Sequence, residues 1–468
     1  MAVGRATRLL PLHSSEVPVE RAALVIGGGA AGLNAALSLA EQGFPVHLIE
    51  RTGELGGNLR YVYYTTESLD KASDPQRYLR QLIARVQRHP KVNVYLQTEL
   101  LETSGFVGNF VSRLGGNGQE FEVRHGATIV ATGGQEYRGE EYACGNDPRV
   151  ITQQEFEGFL ANPQSASRIP KSVVMIQCVG PAARYCSRIC CTTALKNALK
   201  LKELNPAAQV TMLFKDIRTY GFKERLYTQA REAGVMFVHY DDEHEPQVEI
   251  SNLKSQISNR KSEIGNRQSQ IENSLVVKAW EPMLGQELVL TPDLVVLSTP
   301  IVPAEGAREL ANRLKVPMDL DGFFLEAHVK LRPVDFASDG IFMAGLAQYP
   351  KFLDETIVRA QAAAARAAAI LAQDTLMASA RVAVVDADRC VACLTCVRLC
   401  PYKVPQVKAT FSGVGCIVGA AHVEPAACHG CGICAAECPA KAIQLMHSTD
   451  LQMLTKIDSL FVPALLPT

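Results

Sequence analysis

Short apolar runs alternate with amphipathic stretches along most of the chain. Runs of four to seven mostly apolar residues have the length of buried strands, and the stretches between them repeat apolar residues at helical spacing. The strand-like runs occupy residues 23–26, 45–49, 172–177 and 209–215, and the helical stretches occupy 33–42 and 192–204, with a helix followed by a strand over 224–240. Strands that alternate with helices form parallel sheets covered by helices, so the pattern predicts an α/β fold.

Length, composition and charge narrow the class of protein. A chain of 468 residues is too long for one core and predicts two to four domains. Its net charge of -1 provides no global basic surface, so a nucleic-acid partner is not expected. The chain has no apolar run of the length that spans a membrane, and its first twenty residues lack the continuous apolar segment of a secretory signal.

Cysteine is unusually frequent and unevenly placed. Twelve of the fourteen cysteines fall into three tight groups, which in a reducing compartment favours metal or redox centres over disulfides. We therefore expect a cytoplasmic protein. Cys144 and Cys416 lie outside the groups, and we expect both to be buried structural thiols.

The first motif, "VIGGGAAGLNAALSLAEQGFPVHLIE", predicts a dinucleotide-binding turn. Gly27, Gly29 and Gly32 have the G-x-G-x-x-G spacing between a strand and a helix. Such glycines provide a tight turn, close approach to a pyrophosphate and close packing of helix on strand, and phosphate binds at the helix N-terminus. Glu50 ends the second strand, where a carboxylate accepts hydrogen bonds from ribose hydroxyls. The motif alone leaves FAD and NAD both open.

The second motif, "QCVGPAARYCSRICC", follows a predicted buried strand. Cys178 occupies a position where a phosphate-binding glycine is expected, and Cys186, Cys190 and Cys191 precede the next helix. Four thiolates between a strand end and a helix start can converge on one [4Fe–4S] cluster. Three other interpretations stay open: a Cys₄ zinc site, a thioredoxin-like dithiol, and four buried thiols without a metal.

The third motif is a doubled cysteine run near the C-terminus. "CVACLTCVRLCP" and "CHGCGICAAECP" both have the spacing C-x₂-C-x₂-C-x₃-C-P of bacterial ferredoxins, in which the fourth cysteine of each run binds the other cluster. One predicted cluster is bound by Cys390, Cys393, Cys396 and Cys438. The other is bound by Cys400, Cys428, Cys431 and Cys434.

A seven-residue repeat starts at Ile250 and continues to about residue 274. Isoleucine recurs at 250, 257, 264 and 271, but the second apolar position of each heptad is mostly polar. The repeat is therefore too polar for a strong coiled coil. We expect a surface insertion, helical or disordered, in a loop of the middle domain.

Three segments resemble flavoproteins of the glutathione and thioredoxin reductase type. They are "ELGGNLR" at 54–60, "ATIVATGG" at 127–134 and the segment 339–371, where a strand and a glycine lead into an alanine-rich helix. This resemblance favours FAD, with Leu346 standing where many relatives carry an aspartate. It implies FAD-binding roles for Gly27, Gly29, Gly32, Glu50, Arg51, Gly56, Gly57, Asn58, Thr132, Gly133, Gly345 and Leu346. Lys351, in "YPKF", is our candidate for a catalytic cation beside the isoalloxazine ring.

Taken together, "QCVG", "YCSRICCTTALKNALKLKE", "DIRTYG", "GLAQYPKFLDETI" and the ferredoxin runs resemble the A subunit of heterodisulfide reductase from about residue 22 to residue 445. They are also similar to the A subunit of the quinone-interacting membrane-bound oxidoreductase. The resemblance implies FAD and three [4Fe–4S] clusters, the middle one bound by Cys178, Cys186, Cys190 and Cys191. It also implies a homodimer core in a larger complex, with subunits like B and C, hydrogenase or dehydrogenase donors, and ferredoxin as partners.

The resulting fold prediction is a thioredoxin/glutathione-reductase-like FAD-binding Rossmann fold with an inserted second α/β domain and a C-terminal bacterial-type 2[4Fe–4S] ferredoxin domain. The predicted boundaries are an N-terminal extension 1–20, FAD-binding parts 21–150 and 291–375, an inserted domain 151–290, a ferredoxin domain 380–447 and a tail 448–468.

The predicted function is that of an oxidoreductase subunit that exchanges electron pairs at FAD with single electrons at clusters. Some members of the family that it resembles carry out flavin-based electron bifurcation. One alternative is a non-catalytic subunit that conducts electrons between partners. The other, a free-standing NAD(P)H reductase, is disfavoured because the middle domain has no glycine loop of its own.

Overall fold

The computed structural model describes residues 6, 16–65, 74–116, 118–162, 169–183, 185–251, 274–378 and 381–461. The helices of these ranges are α1 (Ala30–Glu41), α2 (Pro75–Arg88), α3 (Gln153–Ala161), α4 (Ile189–Leu204), α5 (Glu224–Glu232), α6 (Ala307–Leu314), α7 (Leu353–Leu371), α8 (Thr395–Leu399), α9 (Ile433–Ala436) and α10 (Asp450–Phe461). None of them combines the length and the hydropathy that a bilayer crossing requires.

The strands of the same ranges are numbered in chain order. They are β1 (Glu16–Pro18), β2 (Ala23–Ile26), β3 (Val46–Ile49), β4 (Val92–Tyr95), β5 (Thr98–Phe106), β6 (Asn109–Gly116), β7 (Gln119–His125), β8 (Ala127–Val130), β9 (Gly134–Glu136), β10 (Val150–Thr152), β11 (Ser172–Ile176), β12 (Gln209–Phe214), β13 (Met236–His239), β14 (Gln247–Ser251), β15 (Ser274–Glu281), β16 (Gln286–Leu290), β17 (Leu294–Leu297), β18 (Ile301–Pro303), β19 (Ile341–Met343), β20 (Thr375–Met377), β21 (Ala383–Val385), β22 (Gln406–Ser412), β23 (Val418–His422) and β24 (Ile443–Leu445).

The first domain is built on a parallel sheet with the strand order β19-β8-β2-β3-β4. Helices α1, α2 and α7 pack on one face, and the antiparallel sheet β5-β6-β7 and helix α6 pack on the other. Val25 and Leu24, neighbours in β2, face opposite cores, as expected for a strand that is buried on both sides. The predicted α/β fold is therefore confirmed for this domain.

The chain leaves the first sheet after β8 and returns to it at β19, which pairs with β8 in parallel. Near the N-terminus, β1 pairs with β20 in an antiparallel arrangement, Glu16 opposite Met377. The last residues of the predicted N-terminal extension 1–20 therefore form part of the fold. The predicted C-terminal tail 448–468 contains helix α10, which exposes most of its apolar side chains.

The middle domain has a parallel sheet with the order β10-β17-β11-β12-β13. Helices α3, α4 and α5 cover one face, and the antiparallel sheet β14-β15-β16 covers the other. The predicted boundary at residue 290 is wrong, because β17 lies at 294–297 and pairs with both β10 and β11. An apolar run such as "LVVL" does not by itself indicate which of two sheets it joins.

The predicted bounds of the heptad insertion, 250–274, also need correction. Ile250 and Ser251 end β14, where they pair with Leu275 and Ser274 of β15. The segment 252–273, which contains the rest of the repeat, lies outside the described residues. The insertion thus joins two paired strands and replaces what would be a hairpin turn.

The C-terminal domain is small and consists of two antiparallel strand pairs, β21 with β24 and β22 with β23, together with the short helices α8 and α9. Its core contains few large side chains. Four cysteines, two of them Cys390 and Cys438, are buried there among alanine and valine side chains. A core of this kind depends on a bound group for much of its stability.

Candidate functional site

A cavity of about 430 Å³ lies at the carboxyl ends of β2 and β3, where open α/β sheets bind ligands. It extends from the first domain to helices α3 and α4 of the middle domain. Its walls contain nine of the twelve predicted flavin residues, namely Gly27, Gly29, Glu50, Arg51, Gly57, Asn58, Thr132, Gly133 and Leu346. The other three, Gly32, Gly56 and Gly345, are not among the lining residues.

The glycine turn has the geometry that its spacing predicts. Gly27 has a φ of +110°, and a Cβ there would lie 2.4 Å from the carbonyl oxygen of Ala131. A Cβ on Gly32 would lie 1.8 Å from the carbonyl oxygen of Gly27, so only glycine allows α1 to pack this closely on the turn. Gly29 is different, because its nearest protein neighbour would be 3.9 Å away. Its lack of a side chain leaves space on the cavity side.

Glu50 lies where the sequence places it, at the end of β3, and its carboxylate stabilises the turn. Oε2 accepts a hydrogen bond from the Gly28 amide at 2.7 Å, and Oε1 accepts one from the Thr52 amide at 2.8 Å. Arg51 points away along the rim and donates to the Glu305 carbonyl at 2.8 Å. Carboxylate oxygens have several acceptor positions, so Glu50 can also accept from a ribose hydroxyl.

The loop after β3 closes over the glycine turn. Gly56, with a φ of +115°, donates its amide to the Gly28 carbonyl at 2.8 Å. Asn58 Nδ2 donates to the Gly134 carbonyl at 2.7 Å and so links this loop to the chain that follows β8. Gly345 packs against the start of α1, since a Cβ there would lie 2.7 Å from Ala31 Cβ. These contacts hold the cavity walls in place.

Two hydroxyl groups of the wall fit a polar ligand. Thr132 Oγ1 and Thr299 Oγ1 are buried and have no hydrogen-bond partner among the described residues. Leu346 contributes an apolar side chain, so the polar anchor expected from relatives is absent at that position. The unpaired threonine hydroxyls are candidates to replace it, because buried hydroxyls normally have partners.

Lys351 also lines the cavity and is 5% exposed, so it is not a solvated surface lysine. Its Nζ donates to the carbonyl oxygens of Gly345 at 3.1 Å and Tyr349 at 3.2 Å. Burial lowers its pKa to about 7, and the positive charge of Arg359 contributes to this shift. The side chain is therefore near its protonation midpoint at neutral pH.

Sequence reasoning missed a buried ion pair in the cavity wall. Lys196 of α4 and Glu157 of α3 meet with Nζ 2.8 Å from Oε2, at side-chain exposures of 8% and 4%. Lys196 Nζ also donates to the Tyr64 carbonyl at 2.8 Å, and Tyr64 Oη donates to Asn197 Oδ1 at 2.7 Å. Burial lowers the pKa of Lys196, while Glu157 opposes that shift. The sequence could not reveal this pair, because a buried lysine on a predicted amphipathic helix looks the same as a solvent-exposed one.

The four middle cysteines come together between β11 and α4. The carbonyl end of β11 leads into Cys178, which has a φ of +59°, and α4 begins with Ile189, Cys190 and Cys191. Burial raises the pKa of Cys178 to about 11, and the neighbouring Cys191 and Cys186 raise it further. The pKa of Cys190 is raised through its hydrogen bond with Cys191, by burial, and by charge on the other cysteines. All four thiols thus lie within electrostatic reach of one another.

Cys190 connects this group to the flavin cavity. It lies in the cavity wall beside Ile189, Thr193 and Lys196, on the first two turns of α4. On the other side of the group, Cys186 is exposed and accepts a hydrogen bond from the Arg188 amide at 3.2 Å. The cysteine group therefore extends from the cavity wall to the protein surface.

The C-terminal cysteines separate into two groups. One small cavity is walled by Cys390, Cys393, Cys396 and Cys438. Burial raises the pKa of Cys434 to about 11, and its strongest charged neighbours are Cys428, Cys400 and Cys431. This is the grouping that the ferredoxin spacing predicts, with the fourth cysteine of each run crossing to the other group.

Backbone amides donate to several of these thiols. The donors are Ala421 to Cys390 at 3.4 Å, Ala442 to Cys438 at 3.3 Å and Ala383 to Cys428 at 3.4 Å. Amide hydrogen bonds to sulfur are a feature of iron–sulfur sites and influence their potentials. The donor set thus fits two four-iron clusters.

A site for a single metal ion is a poorer fit. Within the described ranges, no three His, Cys, Asp or Glu side chains have the arrangement that one ion requires. In a four-iron cluster each cysteine binds a different iron, so the thiols stand further apart than around one zinc. Of the two remaining cysteines, Cys144 is half-buried, whereas Cys416 is exposed in the turn between β22 and β23, so the expectation of a buried Cys416 is wrong.

Comparisons with known proteins support binding of FAD and of [4Fe–4S] clusters. Residues 23–125 match the family model of FAD dependent oxidoreductases, and residues 383–406 and 421–444 match that of the 4Fe-4S binding domain. The iron-sulfur A subunit of the CoB--CoM heterodisulfide reductase of Methanocaldococcus jannaschii is 30% identical over 497 residues, covering 86% of this chain and 72% of the relative. An iron-sulfur A subunit of the same enzyme from Methanopyrus kandleri has the same identity and coverage.

The chain belongs to the family of heterodisulfide reductase A subunits.

Membership in this family identifies the chain as an oxidoreductase subunit with FAD and [4Fe–4S] cofactors. The A subunit of the H(2):CoB-CoM heterodisulfide,ferredoxin reductase of Methanothermobacter marburgensis is 29% identical, again over 86% of this chain and 72% of the relative. Among solved structures, the thioredoxin reductase of T. acidophilum is similar with a TM-score of 0.49 and 17% identity, covering 75% of this chain and 98% of that chain.

Proposed function

We propose that this protein binds FAD and three [4Fe–4S] clusters and transfers electrons within a heterodisulfide-reductase-like complex. The observation that carries the proposal is the position of Cys190, which lines the flavin cavity and also belongs to the group of four middle cysteines. A redox group bound by these cysteines would lie directly beside the cavity. The ligands in this proposal are Cys178, Cys186, Cys190 and Cys191.

When bound, FAD supplies the exchange between electron pairs and single electrons. The chain's own residues hold it and provide charge. The Gly27–Gly32 turn and the N-terminus of α1 receive the pyrophosphate, and Glu50 accepts from the ribose. Lys196 and Lys351 place two buried amines in the remaining wall. Lys351, with its pKa near neutrality, can gain or lose a proton at Nζ as the charge in the cavity changes.

The two C-terminal groups differ in position. Tyr402 and Cys428, on the side of the second group, face Phe110 and Leu314 of the first domain across a cleft of about 390 Å³. Each group has one exposed cysteine, Cys393 in the first and Cys431 in the second, so the cleft alone distinguishes their positions. We propose that the second group, with Cys400, Cys428, Cys431 and Cys434, faces the flavoprotein body and that the first group faces partner subunits.

The partners in this proposal are subunits like B and C of heterodisulfide reductase, a hydrogenase or dehydrogenase as donor, and ferredoxin. The FAD-containing part forms a homodimer core, and the complex is cytoplasmic. Anaerobic co-purification from the native host, followed by mass spectrometry, tests this directly. Recovery of the chain without any redox partner would contradict it.

Flavin-based electron bifurcation is the stronger form of the proposal. It requires that the two electrons of one donor reach two different acceptors. With the purified complex, ferredoxin reduction should then depend on the simultaneous presence of the second acceptor, with equal numbers of electrons reaching each. Ferredoxin reduction at an unchanged rate without the second acceptor would exclude bifurcation and leave simple electron transfer.

The second candidate function is a conducting subunit without substrate chemistry of its own. The presence of cysteine groups at both the cavity wall and an exposed surface favours it. A free-standing NAD(P)H reductase has less support, because Cys178 and the other middle cysteines occupy the strand-to-helix turn where the nucleotide would bind. Rapid flavin bleaching by NADH or NADPH without partners would revive it.

A further inference from the structure

The side-chain amide of Gln177 is buried without a partner. The residue is 0% exposed, and neither Nε2 nor Oε1 has a hydrogen-bond partner among the described residues. Leaving such a group unpaired in the interior is energetically costly, because it has lost its hydrogen bonds to water. Buried polar groups without partners are rare in native proteins and call for an explanation, of which an ion or ligand is one.

Strand alternation places this side chain on the sheet face that α3, α4 and α5 cover. Val173 and Met175 of β11 face the core formed with α3, α4 and α5, whereas Val174 and Ile176 face the opposite core. The Gln177 amide continues the sheet by donating to the Leu213 carbonyl at 2.9 Å, so its side chain follows Met175 on the α4 face. The first turn of α4 contains Cys190 and Cys191.

The backbone of Gln177 is fixed in this position. Besides its sheet hydrogen bond, its carbonyl oxygen accepts from Tyr240 Oη at 2.6 Å. Thr192, next to Cys191, is 3% exposed, and its Oγ1 also has no partner in the described ranges. Two buried polar side chains without partners therefore flank the middle cysteines, one on the strand and one on the helix.

From this arrangement we propose that Gln177 Nε2 donates a hydrogen bond to a sulfur of the middle [4Fe–4S] cluster and thereby raises the cluster's reduction potential. The inference rests on the proposed function, which assigns a cluster to the four cysteines. Sulfide and thiolate sulfurs accept hydrogen bonds, and donors to them stabilise the more negative reduced state. Gln177 is a positioning residue in this role, since the four cysteines remain the ligands.

The test is a redox titration of the anaerobic holoprotein, with the reduced middle cluster followed by EPR. Gln177→Leu removes the donor and keeps the side chain buried. We expect its reduction equilibrium constant to fall about tenfold, which corresponds to about 59 mV for a one-electron couple. In protein exchanged into D₂O, pulsed EPR should show an exchangeable deuteron coupled to the wild-type cluster that is lost in Gln177→Leu.

Two further variants make the result specific. Met175→Leu alters packing one step earlier on the same face and should leave the potential unchanged. Gln177→Asn shortens the side chain by one methylene group and keeps its polarity, so it should reproduce the lower potential even if the leucine variant assembles poorly. An unchanged potential in Gln177→Asn, or in a Gln177→Leu protein with a full iron content, would overturn the inference.

Failure of the underlying assignment gives a different result. If the wild-type chain contained about eight irons and no third EPR signal, the middle cluster itself would be refuted. If the wild type contained about twelve irons and the Gln177 variants showed wild-type potentials, only the role of Gln177 would be refuted.

Discussion

Lys196 Nζ lies 2.8 Å from Glu157 Oε2, and this ion pair is almost fully buried in the wall of the flavin cavity. It joins helices α3 and α4 of the middle domain, and through the Tyr64 carbonyl it also contacts the chain of the first domain. Charges buried in this way must be paired, because each one alone carries a desolvation cost of several kcal/mol.

Removing one partner of this pair should therefore destabilise the protein strongly. We expect Lys196→Met to lower the free energy of unfolding by about 3–5 kcal/mol, since Glu157 would remain buried and unpaired. The double variant Lys196→Met/Glu157→Gln should recover part of the loss. The free energies of unfolding of the single and the double variant can be measured by urea titration, with flavin fluorescence as the signal. Lys200→Met, which breaks the more exposed pair with Glu203 on the same helix, is the matched control and should cost less than about 1 kcal/mol.

Two glycines of the first motif should respond differently to alanine. In Gly32→Ala the new methyl group would overlap the Gly27 carbonyl, so both folding stability and FAD binding should fall. In Gly29→Ala the methyl group has room in the protein, so the apoprotein should keep its stability while FAD affinity falls at least tenfold through the blocked pyrophosphate. Thermal melts and flavin titration of apoprotein distinguish these effects. Equal FAD affinity for Gly29→Ala and wild type would place the pyrophosphate elsewhere.

The cluster assignment predicts iron contents. Anaerobically prepared protein should contain about twelve irons, and replacing both Cys190 and Cys191 by serine should reduce this to about eight with the ferredoxin EPR signals intact. Cys144→Ser and Cys416→Ser, which change the cysteines outside the three groups, are the controls and should leave twelve. A wild-type content near eight would eliminate the middle site.

Lys351 should influence the flavin in a pH-dependent manner. Its pKa is lowered to about 7, so Nζ is mostly charged at pH 6 and mostly neutral at pH 8.5. If it acts as a cation beside the ring, Lys351→Met should lower the flavin midpoint potential more at pH 6 than at pH 8.5. Lys351→Arg, which stays charged at both pH values, should not show the drop at pH 6. Equal shifts of the methionine variant at both pH values would exclude this role.

Deletion of 252–273 tests whether the heptad insertion matters for the redox core. Ser251 and Ser274 are paired across β14 and β15, so an Asn-Gly turn can join them. We expect unchanged flavin and iron contents. A larger deletion, 250–275, also removes the Ile250–Leu275 pair and should lower the melting temperature. Loss of both cofactors in the shorter deletion would show that the insertion is structural.

The sequence alone was sufficient to predict the sites whose residues lie close together along the chain or in a repeat. The turn at Gly27 follows from its neighbours along the chain, because residue spacing alone sets a strand-to-helix turn. The ferredoxin runs are similar: short spacing keeps Cys390, Cys393 and Cys396 together, and the doubling of the run indicates where Cys438 belongs. In both cases the decisive distances span only a few residues or follow from a repeat.

Tertiary structure decided the features that depend on contacts between distant segments. The run 294–297 could have joined either sheet, and its pairing with β11 placed it in the middle domain. Lys196 and Glu157 are 39 residues apart and become partners only when α3 packs on α4. The complete burial of Gln177, whose backbone bonds to Leu213 and Tyr240, likewise follows from the tertiary structure. Hydrophobic spacing indicates which face of a helix or strand is buried. Which polar side chains meet on that face depends on how helices and strands from different parts of the chain pack together.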